Sequence, residues 1–147
     1  MKIKEIMTTP AITVSENAPL AEVVALLSSA RISSIPIVNS ADELVGIVSE
    51  HDIIKAMMPT YEDLLGSEPA IVDVGVMETR AATIRDKPAS SIMTRKVVTL
   101  KEDDDVLDAA AMILLKHIKN IPIVREKQVV GVVARINVIN AIMQGKI

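Results

Sequence analysis

The sequence predicts an α/β (α+β) fold made of two related repeats, each running strand-helix-strand-strand-helix around a three-stranded sheet. The first observation is a duplicated block, in which Ile35-Pro36-Ile37-Val38 recurs as Ile121-Pro122-Ile123-Val124. The second is the β-branched run around Gly46 or Gly131 that follows each block and leads into a helical apolar pattern. Because one repeat is too small to bury its apolar face alone, we expect the two sheets to pack about a pseudo-two-fold axis. The isoleucines of the block should lie at that seam, with clefts along it.

The first repeat begins with the β-branched residues 11–14, which favour a strand. Pro19 suits the first turn of a helix, where its missing N–H removes no hydrogen bond. Apolar residues at helical spacing give that helix one buried stripe, Leu20, Val23, Val24 and Leu27. The block at 35–38 is short, apolar and followed by the polar turn residues 39–43, as a buried strand would be. After the return strand, Ser49 is placed to cap a second helix.

The second repeat follows the same order from Ile92-Met93-Thr94, the counterpart of Ile6-Met7-Thr8. We therefore divide the chain into a first repeat at 1–58, a partly helical linker at 59–88 and a second repeat at 89–147. Within the linker, residues 61–65 suit one or two helical turns. Further along it, apolar residues recur on one face of a helix, Ile71, Val74, Met77, Ala81 and Ile84.

Composition excludes several classes of protein. The 147 residues carry a formal net charge of −3 and no long basic run, so binding to a nucleic-acid backbone is not expected. No stretch approaches the roughly 18 apolar residues of a membrane-spanning helix, so we expect no membrane insertion. The N-terminus lacks the apolar core of a signal peptide, which favours a cytoplasmic location. The absence of cysteine excludes disulfides, zinc–thiolate sites and thiol catalysis.

The duplicated motifs carry a resemblance to a known family. Ile6-Met7-Thr8, the block at 35–38 and Gly46-Ile-Val-Ser-Glu-His-Asp52, with their counterparts in the second repeat, resemble a tandem pair of cystathionine β-synthase-type (CBS) domains, a Bateman module. The resemblance covers both repeats and leaves out the linker. It implies a β-α-β-β-α unit, dimers of modules shaped as a flat disc, and adenosine-type ligands in the clefts. Such modules regulate an enzyme, channel or transporter.

Ser49 and Asp52 are the strongest candidates for ligand contact. An ionised aspartate accepts two O–H hydrogen bonds, which suits the cis-diol of a ribose, and Ser49 adds a hydroxyl at the same helix start. The helix N-terminus favours anionic groups through its dipole and free N–H groups. The alternative is that Ser-x-x-Asp only closes the helix end as a capping box. The two roles are partly compatible.

The second repeat differs at these positions. Ala134 stands where the first repeat has Ser49, and Asn137 stands in place of Asp52. Asn137 keeps an acceptor but loses the charge, and alanine is a poor helix cap by about 1 kcal/mol. We therefore expect the two clefts to differ, with the second one weaker.

The resemblance also implies which residues form each cleft, since each takes its ribose contact from one repeat and its opposite wall from the other. The first cleft would hold Ile47, Ser49, Asp52 and nearby Ser34, faced by Thr94, Thr99, Ile118 and Lys119. Lys119 suits a phosphate, although a lone lysine before a strand is more often only solvated. The second, weaker cleft would be formed by Asn137, Val132, Asn120, Thr8, Thr13, Ile32 and Ser33.

Other candidate sites are weaker. His51 and His117 lack a metal-binding spacing and suggest ordinary surface or loop histidines. The acidic run 103–105 sits at a helix start, where carboxylates favour the helix dipole. No nucleophile, base or metal set can be assembled, so we expect neither an enzyme nor a catalytic cofactor.

These observations favour a stand-alone regulatory module. We expect it to sense an adenosine-containing ligand, AMP, ADP, ATP or S-adenosylmethionine, and to control a partner protein whose identity the sequence leaves open. The alternative is a structural dimerisation or interaction module whose clefts have decayed, for which Ala134 and Asn137 are the best support. We also expect a homodimer, because the linker and the two helices 20–30 and 106–115 offer more apolar surface than one module can bury.

Overall fold

The computed structural model describes residues 1–58 and 74–145. The first repeat contains a short 3-10 helix at Ile3–Glu5, β1 at Val14–Ser15, α1 at Leu20–Ala30, β2 at Ser34–Val38, β3 at Leu44–Ser49 and α2 at Glu50–Met57. The predicted order of strands and helices is therefore confirmed, with a shorter first strand. The capping of α2 by Ser49 is confirmed as well.

The rest of the described chain contains α3 at Val74–Ile84, a 3-10 helix at Ala89–Ser91, α4 at Val106–Lys116, β4 at Asn120–Arg125, β5 at Gln128–Ala134 and α5 at Arg135–Met143. The helical face predicted late in the linker falls on α3 from Val74 to Ile84, and Ile71 lies outside the described residues. The turns expected at 61–65 lie outside the described residues. Within residues 1–58 and 74–145, no helix is long and apolar enough to cross a membrane.

The two sheets follow the predicted topology with one difference. In the first, β1 runs parallel to β2 and β2 runs antiparallel to β3. In the second, β4 and β5 are antiparallel, and the edge strand is reduced to a single parallel bridge between Leu100 and Ile123. Directly after Leu100 the Lys101 amide donates to the Asp104 carboxylate at 2.7 Å, and the chain turns away from the sheet.

The repeats exchange the segments that precede their first strands. The Ile3 amide donates to the Asp104 carbonyl at 2.9 Å, so the N-terminal segment of the chain lies on the second repeat. In the reciprocal contact, the Ala89 amide donates to the Ala18 carbonyl at 2.8 Å, so the segment before the second repeat lies on the first. Each repeat is therefore completed by backbone from the other.

A surface ion pair accompanies this exchange. Lys4 Nζ lies 2.9 Å from Asp103 Oδ1, and the contact raises the pKa of Lys4 and lowers the pKa of Asp103. Because both side chains are solvent-exposed, such a pair contributes little to stability. The backbone hydrogen bonds and apolar packing hold the exchanged segments in place.

Burial follows the same exchange. The described residues form two apolar clusters, one for each repeat. Ile3 is fully buried among the residues of the second repeat, and Ala89 and Met93 are buried among those of the first. A fully buried aliphatic side chain contributes about 1.5–3 kcal/mol relative to leaving it exposed. Separating the exchanged segments would therefore expose both cores.

The isoleucines of the duplicated block are fully buried, but not where the sequence placed them. Ile35 and Ile37 lie in the cluster of the first repeat, and Ile121 and Ile123 lie in that of the second. Side chains alternate between the two faces of a strand, and in both blocks the isoleucines point into their own repeat. The expectation that they meet across the seam was wrong. Pro36, on the opposite face of β2, lines a cleft between the repeats instead.

Two glycines allow the exchanged segments to approach closely. A Cβ added to Gly46 would lie 2.6 Å from Met93 Sδ and 3.1 Å from the Thr94 carbonyl oxygen. At Gly131 it would lie 2.7 Å from Met7 Sδ and 3.2 Å from the carbonyl oxygen of the next residue, Thr8. A glycine is therefore needed at both positions, because any side chain there would overlap with Met93 or Met7 of the exchanged segment.

We predict that Gly46→Ala lowers the free energy of unfolding by about 1–3 kcal/mol, because it overpacks the contact with Met93. Urea denaturation monitored by circular dichroism measures this. Met93→Ala opens a cavity when made alone, but it relieves the clash when combined with Gly46→Ala, so the double variant should lose less than the sum of the two single losses. Strictly additive losses would show that Gly46 does not serve this contact.

Candidate functional site

A cleft of about 350 Å³ lies between the two repeats. It is bounded on one side by the end of β3 and the start of α2, and on the other by the chain before and after α4. We call it the first cleft. It is lined by Ser33, Ser34, Ile47, Ser49, Glu50, His51, Asp52, Thr94, Lys96, Val97, Val98, His117, Ile118, Lys119 and Asn120.

The segment exchange brings the two sides of this cleft together. The Ile47 amide donates to the Thr94 carbonyl at 2.9 Å, and the Thr94 amide donates back to the Ile47 carbonyl at 2.8 Å. This reciprocal pair fixes Thr94 beside the return strand of the first repeat. Residues 96–98 follow directly and form the opposite wall. A side chain from each repeat is thereby held at one site.

Asp52 is the most constrained polar side chain of the first cleft. Its Oδ2 accepts hydrogen bonds from the amide and the hydroxyl of Ser49, both at 2.9 Å. The Asp52 amide donates to Ser49 Oγ at 3.1 Å, which completes a capping box. Its other oxygen, Oδ1, accepts from Thr94 Oγ1 at 3.1 Å. An ionised carboxylate has about four acceptor positions, so one remains for a ligand in this geometry.

Ionisable side chains share the first cleft with this carboxylate. Lys96 and Lys119 line the first cleft together with Glu50. His117, at the C-cap of α4, adopts a left-handed conformation with φ of 53°, and the chain turns there so that His117 also lines the cleft. The first cleft therefore offers both acidic and basic groups to a ligand.

The second cleft is smaller, with a volume of about 140 Å³. It occupies the equivalent place on the other side of the pseudo-two-fold axis, where the Thr8 amide and the Val132 carbonyl are 2.8 Å apart. None of the residues that line it is ionisable: they are Thr8, Pro10, Ala11, Ile12, Ile32, Ser34, Pro36, Asn120, Val132 and Ala134. The two clefts therefore differ in volume and in the charge of their lining.

Two residues line both clefts. Asn120 Nδ2 donates to Ser33 Oγ at 2.8 Å and to Ser34 Oγ at 3.2 Å. Ser34 and Asn120 occupy equivalent positions in the two repeats, so this contact lies where the repeats meet. It forms the polar floor that separates the clefts.

Most residues predicted for the first cleft line it: Ser34, Ile47, Ser49, Asp52, Thr94, Ile118 and Lys119. Thr99 does not. On this segment the lining runs over the consecutive residues 96–98 and ends at Val98. Thr13 likewise does not line the second cleft, because the lining on that segment covers residues 10–12 and ends at Ile12.

Four of the residues predicted for the second cleft line it: Thr8, Ile32, Asn120 and Val132. Asn137 does not line it; its Oδ1 accepts the Ala134 amide at 2.8 Å, as the Asp52 carboxylate accepts the Ser49 amide. Ser33 lines the first cleft instead, where its carbonyl accepts the Glu50 amide at 2.9 Å.

Sequence reasoning missed several residues of the first cleft. His51 and His117 suggested ordinary surface or loop histidines, yet both line it, as do Lys96 and Glu50. For His51 and Glu50 a signal was present, because they lie between Ser49 and Asp52 at the start of α2. His117 and Lys96 are distant in sequence, and only the fold brings them to the site.

The acidic run before α4 has structural roles. Asp105 Oδ1 accepts the Leu107 amide at 2.9 Å and caps the helix, while Asp103 pairs with Lys4. Among the described residues, no group of three or more His, Cys, Asp or Glu side chains is placed to hold a metal ion.

Comparison with known proteins gives a consistent result. The model of the CBS domain family matches the chain twice, over residues 3–59 and 89–144. The uncharacterised protein MJ1426 of Methanocaldococcus jannaschii is 33% identical over 156 residues, which cover 97% of this chain and 92% of that protein. In four further curated relatives the chain spans only 32%, 15%, 21% and 39% of the length. The same module therefore also occurs within longer proteins.

Solved structures share the fold. The CBS domain pair of protein MJ0100, in complex with 5'-methylthioadenosine and S-adenosyl-L-methionine, is 28% identical with a TM-score of 0.72, and the match covers 100% of this chain and 98% of that one. The CBS domain of a CBS domain-containing membrane protein from Sphaerobacter thermophilus is also 28% identical with a TM-score of 0.72, covering 95% of this chain and 86% of that one.

The capping difference between the repeats gives a testable prediction. Ser49→Ala should lower the free energy of unfolding by about 1 kcal/mol, because the amide of Asp52 loses its acceptor. The matched change Ala134→Ser should raise it by a similar amount, since it supplies the missing cap to α5. Urea denaturation of both variants measures these two changes in the free energy of unfolding. No change in either would mean that side-chain capping at these helix starts does not contribute to stability.

Proposed function

We propose, from the premise that this chain belongs to the CBS domain family, that it is a regulatory module whose first cleft binds an adenosine-containing ligand. Occupancy of that cleft is passed to a partner protein that the module controls. The observation that carries the proposal is the Asp52 carboxylate, which lines a cleft of about 350 Å³ and is hydrogen-bonded to a side chain of each repeat. A ligand at this carboxylate contacts both halves of the molecule.

The geometry of Asp52 suits a ribose diol. One ligand hydroxyl takes the acceptor position left on the carboxylate. The second ligand hydroxyl replaces the hydrogen bond from Thr94 Oγ1. At 3.1 Å, that bond is longer than the two 2.9 Å hydrogen bonds that the carboxylate accepts from Ser49. Because Thr94 belongs to the exchanged segment, this replacement links ligand binding to the contact between the repeats.

The remaining walls suit a nucleoside. Ile47, Val98 and Ile118 offer apolar surface to a purine base. Lys96 and Lys119 lie in the same cleft and favour a ligand with a phosphate group, such as AMP, ADP or ATP. The CBS domain pair of MJ0100, 28% identical, is in complex with 5'-methylthioadenosine and S-adenosyl-L-methionine. S-adenosylmethionine is therefore the second ligand class that we propose.

A structural dimerisation or interaction module with decayed clefts is the alternative. Two observations favour it. Asp52 already closes a capping box with Ser49, and the second cleft is small, without ionisable groups, and bordered by Ala134. We propose no catalytic activity: the Ser49 hydroxyl and the Asp52 carboxylate, which are hydrogen-bonded to each other in the first cleft, both serve to cap α2.

We also propose that the module forms a homodimer. Many large aliphatic side chains are exposed on its helices, more than isolated surface residues explain. Light scattering at micromolar concentration should return twice the chain mass of 15.8 kDa. A mass of one chain would contradict the dimer and leave the ligand proposal unaffected, since the first cleft is formed within one chain.

The ligand proposal predicts an order of affinities. Asp52→Ala removes a charged acceptor, and hydrogen bonds to charged groups contribute about 1.5–3 kcal/mol, so the affinity for the ligand should fall at least tenfold. The matched control Asn137→Ala should change it little, and Ser49→Ala should lie between the two. Isothermal titration with AMP, ATP and S-adenosylmethionine measures the order, after circular dichroism shows that each variant is folded. Asp52→Asn, which keeps the capping acceptor, serves if Asp52→Ala fails to fold.

Two outcomes would contradict this proposal. Small and equal effects at Asp52 and Asn137 would leave Ser49 and Asp52 as a capping box alone and favour the structural alternative. A larger loss at Asn137 would move the working site to the second cleft.

A further inference from the structure

Fixed charges of opposite sign balance in the described lining of the first cleft. Glu50 and Asp52 contribute two carboxylates, and Lys96 and Lys119 contribute two ammonium groups. Groups of these kinds keep their charges across the range from about pH 6 to about pH 8. The four charges therefore cancel, and the net charge of the lining depends on the groups beside them that titrate in this range.

The chain has two histidines, and both line the first cleft. His51 comes from the start of α2 in the first repeat, and His117 is the C-cap of α4 in the second. Histidine is the residue type whose charge ordinarily changes between about pH 5 and about pH 8. Protonation of both imidazoles takes the described lining from no net charge to two positive charges.

The second cleft has no counterpart of this pair. Ile136 stands where the first repeat has His51, and Arg31 stands where the second repeat has His117. Neither of them lines the second cleft, whose described lining contains no ionisable side chain. Since the two repeats share one fold, the fold itself does not require histidine at either position. The pair is therefore a property of the first cleft alone.

The neighbouring elements add charges that do not titrate in this range. The helix α3 packs against α2, and α5 packs against α4. Beyond the lining, these four helices and residues 94–99 carry the charged side chains Lys55, Glu78, Arg80, Arg95, Asp108, Lys116 and Arg135. Lysine, arginine and carboxylate groups set a constant background between about pH 6 and about pH 8. The pH dependence of the charge at this cleft thus comes from the histidines.

We infer that His51 and His117 make the first cleft select its adenosine ligand by charge, in a manner that depends on pH. The inference rests on the proposed ligand site at Asp52 and adds its regulation. As the pH falls, protonated imidazoles attract the phosphate of AMP and repel the sulfonium and ammonium groups of S-adenosylmethionine. By linkage, AMP binding takes up protons at the histidines, and S-adenosylmethionine binding releases them. Because both histidines are solvent-exposed, salt weakens the effect.

Titration calorimetry at low ionic strength tests the inference with three probes. Between about pH 8 and about pH 6.5 the affinity for AMP should rise roughly threefold, since one or two nearby cationic groups are gained. The affinity for S-adenosylmethionine should fall over the same range. Adenosine has no charged group, so its affinity should change little.

A double variant isolates the histidines from the ligand's own titration, because a phosphate group also gains a proton near pH 6. His51→Gln is combined with His117→Asn, since asparagine tolerates the left-handed conformation of residue 117, with φ of 53°. Both positions are exposed, and circular dichroism checks the fold. The variant should lose the histidine-dependent part of the rise for AMP. The matched control Lys119→Gln, which removes a cation that does not titrate, should weaken AMP binding by a similar factor at both pH values.

Proton counting gives a second readout. Calorimetry in two buffers of different ionisation enthalpy should show that the wild type takes up more protons per AMP bound than the double variant does. Equal proton uptake, or an equal pH dependence of AMP binding in the two proteins, would overturn the inference while leaving the ligand site intact. Tighter binding of S-adenosylmethionine at the lower pH would overturn it as well. If none of the three probes bound at any pH, the ligand proposal itself would fail, and the inference with it.

Discussion

The structure depends on the exchange of segments between its two repeats. Ile3 fills the core of the second repeat, while Ala89 and Met93 fill the core of the first. Gly46 and Gly131 are the positions at which a side chain would block that approach. Neither core is complete without residues from the other repeat, so the two repeats form one packed unit. The wall of each cleft that comes from the opposite repeat is placed by the same exchange.

The first cleft follows from this constraint. Thr94 reaches Asp52 only because the exchanged segment pairs with Ile47 at the end of β3. The same carboxylate caps α2. The two roles considered from the sequence, cap and ligand contact, are compatible in this geometry: the cap fixes the carboxylate and leaves an acceptor position for the ligand that we propose. The equivalent place in the second repeat has neither the charge nor the hydroxyl, and its cleft is less than half the volume.

Residue patterns predict the strands, the helices and the buried side chains of this fold. They do not predict the contacts between the repeats. Alternation and helical spacing indicate which side chains are buried, so the strands, the helices and the burial of Ile37 and Ile123 could be predicted. The patterns do not indicate which neighbour buries a side chain. For this reason the prediction that the isoleucines of the duplicated block meet at the seam was wrong. The sequence pattern also does not reveal that Ile3 and Ala89 each pack into the other repeat. His117 and Lys96 were missed because nothing local in the sequence relates them to Asp52.

The central claim is that a ribose-bearing ligand binds at Asp52 between the repeats. A crystal structure of the protein soaked with S-adenosylmethionine or AMP tests it most directly. The account predicts ligand density in the first cleft, with the two ribose hydroxyls within hydrogen-bonding distance of the Asp52 carboxylate and the Thr94 hydroxyl turned away from Oδ1. Density confined to the second cleft, or a first cleft that stays empty at saturating ligand while Asp52 keeps its contacts with Ser49 and Thr94, would contradict it.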